Sequence, residues 1–318
     1  MFWAGDDINL TSTARINELI GSIANRYFYD VIYDGERHIL NWYENPVDSD
    51  ERLLLERNVE KLIAIGKPGI WFAWPKAILE NDHGFGYSVC SPKSTMHDSD
   101  DYLLAKTRFT SEAALRQAAI NIAAAFKGLH KKGLFLQSPI ESLMIDSTDG
   151  SILFADPRIF MDDANQLVGE MHNPRRLAPE HIGNEMRGSM QSDNFLLAVT
   201  LFLLLFANHP LEGRKWMKPC LTPEVEAELY GTSAVFIFDP NDETNRPVQS
   251  VHGNAIRFWG EAPEEMKGFF IRAFSKEAIG NPDNRISACD WLVELENSRF
   301  WDDNEVDIWG ENLYWGEW

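Results

Sequence analysis

The residues most often responsible for metal binding or nucleophilic chemistry are sparse and scattered in this chain. Its three cysteines are Cys90, Cys220 and Cys289, and no two of them form a Cys-x-x-Cys pair. An odd number of widely separated thiols argues against a disulfide framework and against a structural zinc site. Unpaired cysteines are typical of a reducing compartment, so we expect a cytoplasmic location.

The charge balance argues against several classes of partner. The 318 residues include 29 Lys and Arg against 49 Asp and Glu, a formal net charge of −20. Binding to a phosphate backbone needs clustered cations, so we expect no nucleic-acid partner, and anionic membranes are disfavoured for the same reason. The opening residues, MFWAGDDINL, lack the basic and apolar regions of a signal peptide.

The first third of the chain predicts a small, mainly antiparallel sheet with one helix. Asp34-Gly35 separates two runs of aromatic and β-branched residues, which is a strong hairpin signal. Gly66 suits the end of the helix. The strand-like runs fall at residues 27–33, 37–43, 71–78 and 86–90. The helix-like run falls between them, at residues 50–65.

After Pro92 the pattern becomes largely helical. Residues 143–145 and 152–154 form a second hairpin signal, and the stretch up to about Gly260 is otherwise rich in loops. The thirteen-residue apolar run at 195–207 is too short to span a bilayer, so it predicts a helix buried on all sides. The predicted helices of this part fall at residues 111–132, 193–207, 263–274 and 288–296.

These elements predict an α+β protein with a sheet-rich part followed by a helix-rich part. We expect one lobe at residues 1–92 and a second at 93–298, because the length exceeds that of a usual single domain. Residues 299–318, here called the acidic Trp segment, contain four Trp and six acidic residues against one Arg. This segment either packs back on the second lobe or binds a partner through its Trp side chains.

Three segments in a fixed order resemble motifs of protein kinases. LAPEHIG at 177–183 resembles the motif that closes the activation segment, and SDNFLLAV at 192–199 resembles the start of the buried central helix. NPDNRIS at 281–287 resembles the late loop whose Arg pairs with the Glu of the first motif. The resemblance covers about residues 12–298. More specifically, the chain resembles a bacterial branch of Ser/Thr-kinase-like proteins. That branch is associated with von Willebrand A-type proteins and metal-dependent Ser/Thr phosphatases.

The resemblance implies a bilobal kinase-like fold, with a small antiparallel β-rich lobe and a larger helical lobe. It also assigns three structural residues. Asp193 would accept backbone N–H bonds from the catalytic-loop region, and Glu180 and Arg285 would form a charge-assisted, largely buried pair.

The nucleotide-binding positions that the resemblance implies are degenerate. In the Gly-rich loop only Gly21 remains, and we interpret Arg26 as a surface residue rather than a phosphate ligand. Asn41 stands where the phosphate-binding lysine is expected, and an amide cannot neutralise a phosphate. Val89 and Cys90 are the other candidate cofactor-binding positions.

The catalytic positions are degenerate as well. Ser138 replaces the catalytic Asp, and Leu143 replaces the metal-binding Asn, although Leu offers no ligand to a metal. Glu141 is an alternative, displaced carboxylate. Asp156 is the one remaining candidate metal ligand, and Arg158 two residues later would bring positive charge close to it.

Catalytic groups act together, so the loss of one of them already removes most of the rate enhancement. The losses described above therefore predict a pseudokinase that acts as a regulatory or protein-interaction module. We expect no cofactor and a protein partner, with a von Willebrand A-type protein or a phosphatase as the classes that the resemblance implies. Two alternatives stay open, namely an atypical Ser/Thr protein kinase that uses Mg-ATP and a nucleotide sensor without transfer activity.

Overall fold

The computed structural model describes most of the chain, and it divides the chain into two compact units, residues 1–94 and 95–318. The acidic Trp segment lies outside the described residues. As predicted, the protein is α+β, with an antiparallel sheet and several helices. The described residues are 2–9, 13–44, 49–81, 83–103, 107–136, 139–155, 159–161, 173–183 and 188–298.

The first unit is built on a six-stranded sheet in the order β1-β2-β3-β4-β6-β5. Every neighbouring pair in this sheet is antiparallel. Helix α1 at Ser49–Ile65 follows the fourth strand. The strands are β1 Asp7–Asn9, β2 Thr13–Ile23, β3 Arg26–Tyr33, β4 Glu36–Glu44, β5 Ala77–Asn81 and β6 Gly84–Cys90.

The predicted hairpin between β3 and β4 is present, and its turn fixes the register of the sheet. Asp34 and Gly35 both have positive φ, +52° and +79°, which a two-residue turn of this kind requires. Counting outward from the turn pairs Phe28 with Asn41, and the observed register agrees. Strand β4 then pairs with β6, which places Tyr87 on the other side of Asn41.

One face of the sheet carries the apolar core of the first unit. Tyr29, Leu40 and Trp42 are among its most deeply buried residues. The ring of Phe2 packs edge-on against Tyr29 and Trp42, at centroid distances of 5.4 and 5.0 Å. Gly86 is required here, because a Cβ atom at this position would lie 2.6 Å from the Asn41 carbonyl oxygen.

Strand β2 is irregular and partly open. Strand β1 pairs only with residues 13–15, so in the described part of the chain the rest of β2 has a neighbouring strand on one side alone. Its pairing with β3 is interrupted by register shifts on either side of Glu18 and Leu19. The apolar side chains of Leu19, Ile20 and Ile23 are all exposed.

The second unit is mainly helical. Its short strands form the predicted hairpin of β9 and β10, joined by β7, and a separate pair of β8 and β11. The elements are β7 Met96–Asp98, α2 Ser99–Leu103, α3 Glu112–His130, β8 Leu134–Leu136, α4 Pro139–Ser142, β9 Leu143–Asp146, β10 Ile152–Phe154, β11 Ile159–Met161, α5 Met190–Phe206, α6 Pro223–Tyr230, α7 Gly253–Glu261, α8 Glu264–Ala273, α9 Lys276–Gly280 and α10 Ala288–Asn297.

Helices α3 and α5 form the centre of this unit. The side chain of Ser111 caps α3 by accepting a bond from the Ala114 amide, and Gly133 follows the helix with a φ of +66°. In α5 every residue from Ser192 to Phe206 is buried, as the apolar run predicts. No helix in the described part of the chain combines the length and the apolar character that a membrane span needs.

Candidate functional site

The first group of candidate residues lies around Asn41, on the sheet face opposite the apolar core. Asn41 is 5% exposed. An Nη2–H of Arg26 donates to its Oδ1 atom at 2.7 Å. The guanidinium also lies over the rings of Phe28 and Tyr43, at 4.7 and 5.4 Å. This position therefore combines an amide with a cation that aromatic rings hold in place.

Arg26, interpreted above as a surface residue, is only partly exposed. Arg26 is half-buried, and it contacts the residue that stands where a phosphate-binding lysine was expected. Its position follows from the register, since Arg26 pairs with Tyr43 and thus lies diagonally opposite Asn41. Counting outward from the Asp34-Gly35 turn would have revealed this contact from the sequence.

The other candidate positions of the first unit do not join Asn41 and Arg26 in a polar site. Gly21 lies within strand β2, opposite Phe28, and a Cβ atom built there would touch nothing within 4 Å. Val89 is buried and pairs with Ile39. The Cys90 thiol points to the Phe72 carbonyl oxygen at 3.9 Å, and Cys90 pairs with His38 on the opposite sheet face from Asn41.

Few of the catalytic candidates of the second unit can be located. Ser138, Asp156 and Arg158 lie outside the described residues. Leu143 is 2% exposed and pairs with Phe154 at the start of the β9–β10 hairpin, so its side chain belongs to the core. In the described part of the chain no group of three His, Cys, Asp or Glu residues could hold a metal ion.

The displaced carboxylate considered above, Glu141, is already engaged. It lies in the short helix α4, and its Oε1 accepts a hydrogen bond from Nη1 of Arg176. A carboxylate held by a guanidinium is a poor proton acceptor for catalysis unless that pair first opens.

Asp193 forms the predicted bonds to the backbone ahead of the candidate catalytic loop. It is fully buried in the first turn of α5, and both of its oxygens accept from the Leu136 amide, at 3.1 and 3.0 Å. Nε2 of His130 lies 3.0 Å from Oδ2. Burial raises the pKa of Asp193 to about 6, although the bonds from His130 and Leu136 favour its charged form.

The predicted ion pair between Glu180 and Arg285 is also present. Nη1 and Nη2 of Arg285 donate to the two carboxylate oxygens of Glu180 at 2.7 and 2.6 Å. The Ser192 hydroxyl donates to Glu180 Oε1 at 2.8 Å. Burial raises the pKa of Glu180, but the bonds and charge of Arg285 more than offset this, so the pKa lies below its usual value.

A third network was not foreseen from the sequence. Arg175 donates through Nε to Glu212 at 2.6 Å, and the Tyr230 hydroxyl donates to the same carboxylate. His209 accepts from the Leu211 amide at Nδ1, so its ring is neutral, and burial lowers its pKa to about 4. No sequence pattern links Arg175, Glu212 and Tyr230, which lie in separate segments of the chain.

The candidates for structural roles and the candidates for catalytic roles thus differ in the contacts that they make. Asp193, Glu180 and Arg285 have all the contacts that their expected structural roles require. At the positions where the resemblance places catalytic groups, Asn41 is an amide bonded to Arg26 and Leu143 is a buried hydrocarbon. A comparison with protein-family models and with curated protein sequences gives no match to this chain.

Proposed function

We propose that this chain is a pseudokinase, a bilobal kinase-like protein that acts as a regulatory or protein-interaction module. The observation that carries the proposal is at Asn41. A neutral amide, already bonded to Arg26, stands where phosphoryl transfer needs a free cation. Leu143 supports the same conclusion, because a buried hydrocarbon cannot bind a metal.

The kinase-like part of the proposal is supported by contacts and by the order of the elements. An antiparallel sheet with one helix precedes a helix-rich unit, in the order that the resemblance implies. The Asp193 and Glu180–Arg285 contacts join segments far apart in the chain, and they were expected from the motifs. These contacts support a kinase-like scaffold that lacks the catalytic groups.

The first test is thermal unfolding of the full chain with and without saturating Mg-ATP. A ligand at 100 times its dissociation constant stabilises the folded state by about 2.7 kcal/mol, and we expect no such shift in Tm. A parallel assay should detect no transfer of labelled phosphate to the protein or to a generic acceptor protein. Transfer that Asp156→Ala abolishes would contradict the proposal and indicate an atypical kinase.

A nucleotide sensor is the second candidate function, and Arg26 is the observation in its favour. Its guanidinium lies beside Asn41 and could take the place of the missing lysine as a partner for phosphate. If Mg-ATP stabilises the protein, Arg26→Gln should remove the shift. Arg37→Gln is the matched control, because Arg37 lies on the same hairpin but pairs with Asp30.

The partner classes implied by the resemblance can be tested directly. A purified von Willebrand A-type domain and a purified metal-dependent Ser/Thr phosphatase are the probes, and binding is measured by calorimetry against the full chain. Saturable binding of either one without added nucleotide would support an interaction module. Binding that appears only with Mg-ATP would favour the sensor.

A further inference from the structure

Residues 214–221, with the sequence RKWMKPCL, form a loop of unusual character for this protein. They carry three cations and no acid, although the whole chain has a net charge of −20. Two apolar side chains of the loop point to solvent, with Met217 51% and Leu221 37% exposed. We call residues 214–221 the basic loop.

Partly buried contacts of Lys215 and Trp216 anchor the basic loop to the rest of the unit. Nε1 of Trp216 donates to the Leu211 carbonyl at 2.7 Å, and its ring packs against Tyr230 at 4.4 Å. The Lys215 amide donates to Asn245 Oδ1 at 3.0 Å, and Lys215 Nζ donates to the Ser233 carbonyl at 2.6 Å. The loop is therefore ordered in advance, which lowers the entropy cost of binding a ligand.

Two of its cations have no acidic partner within the described part of the chain. Arg214 and Lys218 are exposed, and neither forms an ion pair there. Arginines elsewhere in this acidic protein do form pairs, as Arg175 does with Glu212 and Arg257 does with Glu261. Unpaired cations flanking exposed apolar side chains fit a ligand that is both acidic and aromatic.

The acidic Trp segment has this chemistry. Its six acidic residues would face Arg214 and Lys218, and its four Trp side chains would cover Met217 and Leu221. We propose that the basic loop is the docking surface for the acidic Trp segment of the same chain. This inference is independent of the pseudokinase proposal, because no kinase motif enters it.

Reach and concentration favour an intramolecular contact. The described chain extends to Ser298, directly before the acidic Trp segment. Twenty extended residues reach about 70 Å, so distance does not restrict the contact. A segment on the same chain has an effective concentration of about 1 mM, which exceeds that of most partners in trans.

Cys220 lies in the basic loop, is exposed, and provides a reporter position. A fluorophore that contact with Trp quenches is attached to it in the full chain, with Cys90→Ser and Cys289→Ser as background changes. The comparison protein carries Phe in place of the four Trp of the acidic Trp segment, so that quenching by Trp216 is common to both. We expect the label to be dimmer in the parent than in the comparison protein.

Reversing the charges of Arg214 and Lys218 then tests whether the basic loop binds the acidic Trp segment. Arg214→Glu together with Lys218→Glu should relieve the quenching, whereas Lys127→Glu together with Lys131→Glu should not. The control pair changes the charge equally on exposed positions at the end of α3. Thermal unfolding of each variant checks that it is folded. Added salt provides a test without substitution. At about 1 M salt the Debye length is only about 3 Å, so the attraction between the basic loop and the acidic residues is screened and quenching should decrease.

Two results would overturn the proposal. Equal fluorescence of the parent and the comparison protein would mean that the acidic Trp segment does not contact the basic loop. Quenching that grows with protein concentration would assign the contact to a second copy or another partner in trans.

Discussion

Arg285 has a partner at each of its three side-chain nitrogens. Besides the two bonds to Glu180, Nη1 donates to the Gln191 carbonyl at 3.0 Å and Nε donates to the Ala278 carbonyl at 3.1 Å. The guanidinium also lies over the ring of Phe195 at 5.1 Å. From the loop after α9, this one side chain thus contacts the residues before α5, the start of α5 and α9 itself.

Glu180→Gln should destabilise the protein by about 3 kcal/mol at pH 7, because it leaves the Arg285 charge buried without its counter-charge. Urea unfolding of the two proteins measures the difference. Glu243→Gln is the matched control, since its pair with Arg246 is exposed and should contribute at most about 1 kcal/mol. An effect of Glu180→Gln as small as that of the control would contradict the role given to this pair.

The same pair predicts a pH dependence. The pKa of Glu180 is lowered in the folded state, so the stability it provides is present above its unfolded pKa of 4.5 and is lost as the pH falls through the folded value. The difference between wild type and Glu180→Gln, measured by urea unfolding at a series of pH values, should therefore shrink below pH 4.5. A constant difference down to pH 3 would mean that the charge of Glu180 is not responsible.

Asp193 should show the opposite trend. Its pKa is raised from 3.8 to about 6, so its protonation favours the folded state, and this contribution is lost as the pH rises through about 6. Asp193→Asn should abolish that loss while keeping an acceptor for the Leu136 amide. Stability curves from pH 4 to pH 8 would reveal the difference. Parallel curves for the two proteins would assign any change near pH 6 to another group.

At the scale of elements, close backbone approach fixes the β9–β10 hairpin against α3. Gly150 has a φ of +71°, and a Cβ atom there would collide with the Ala114 carbonyl oxygen and lie 2.7 Å from the Ala118 amide. The Gly150 carbonyl also accepts a bond from Nδ2 of Asn121 at 2.9 Å. The hairpin and the helix therefore pack this closely only because position 150 has no side chain.

Gly150→Ala should destabilise the protein by more than about 1–2 kcal/mol, the cost of the left-handed conformation alone. Gly268→Ala is the control, because Gly268 lies within α8 and a Cβ atom there would meet nothing within 4 Å. That substitution should stabilise by about 0.5–1 kcal/mol. Thermal unfolding distinguishes the two, and equal effects would show that the contact with α3 is not tight.

The elements that the sequence predicted are those with strong local signals. The β3–β4 hairpin follows from Asp34-Gly35, and α5 follows from an uninterrupted apolar run. Helices α6 and α7 fall in the stretch predicted to be rich in loops. Gly253 and Gly260 weaken the helix signal of α7, and its formation depends on burial of Ala255 and Phe258, which local propensity does not reveal.

The candidate site was predictable to a similar degree. The motifs led to Glu180, Asp193 and Arg285, and the principal partners of these residues are a guanidinium, a backbone amide and a carboxylate, respectively. The Arg26–Asn41 bond was missed because it depends on strand register rather than on motif spacing. The Arg175–Glu212 network was missed because it joins residues 37 positions apart without a recognisable pattern.

At the scale of the whole molecule, charge is the dominant property. A net charge of −20 creates self-repulsion that opposes the compact state. Raising KCl from about 10 mM to about 0.15 M shortens the Debye length from about 30 to about 8 Å, so Tm should rise over this range. Differential scanning calorimetry measures the shift, and a falling Tm would mean that favourable ion pairs outweigh the repulsion.

Strand β2 has a consequence for how the protein behaves at high concentration. Its outer edge beyond residue 16 offers backbone groups to another strand, and Leu19, Ile20 and Ile23 would add apolar contact. Such an edge is a template for self-association and fibre growth. The two register shifts and the exposed Glu18 counteract this, because bulges twist an edge away and a charge resists apolar stacking. We therefore expect Glu18 to act as a gatekeeper against aggregation through this edge.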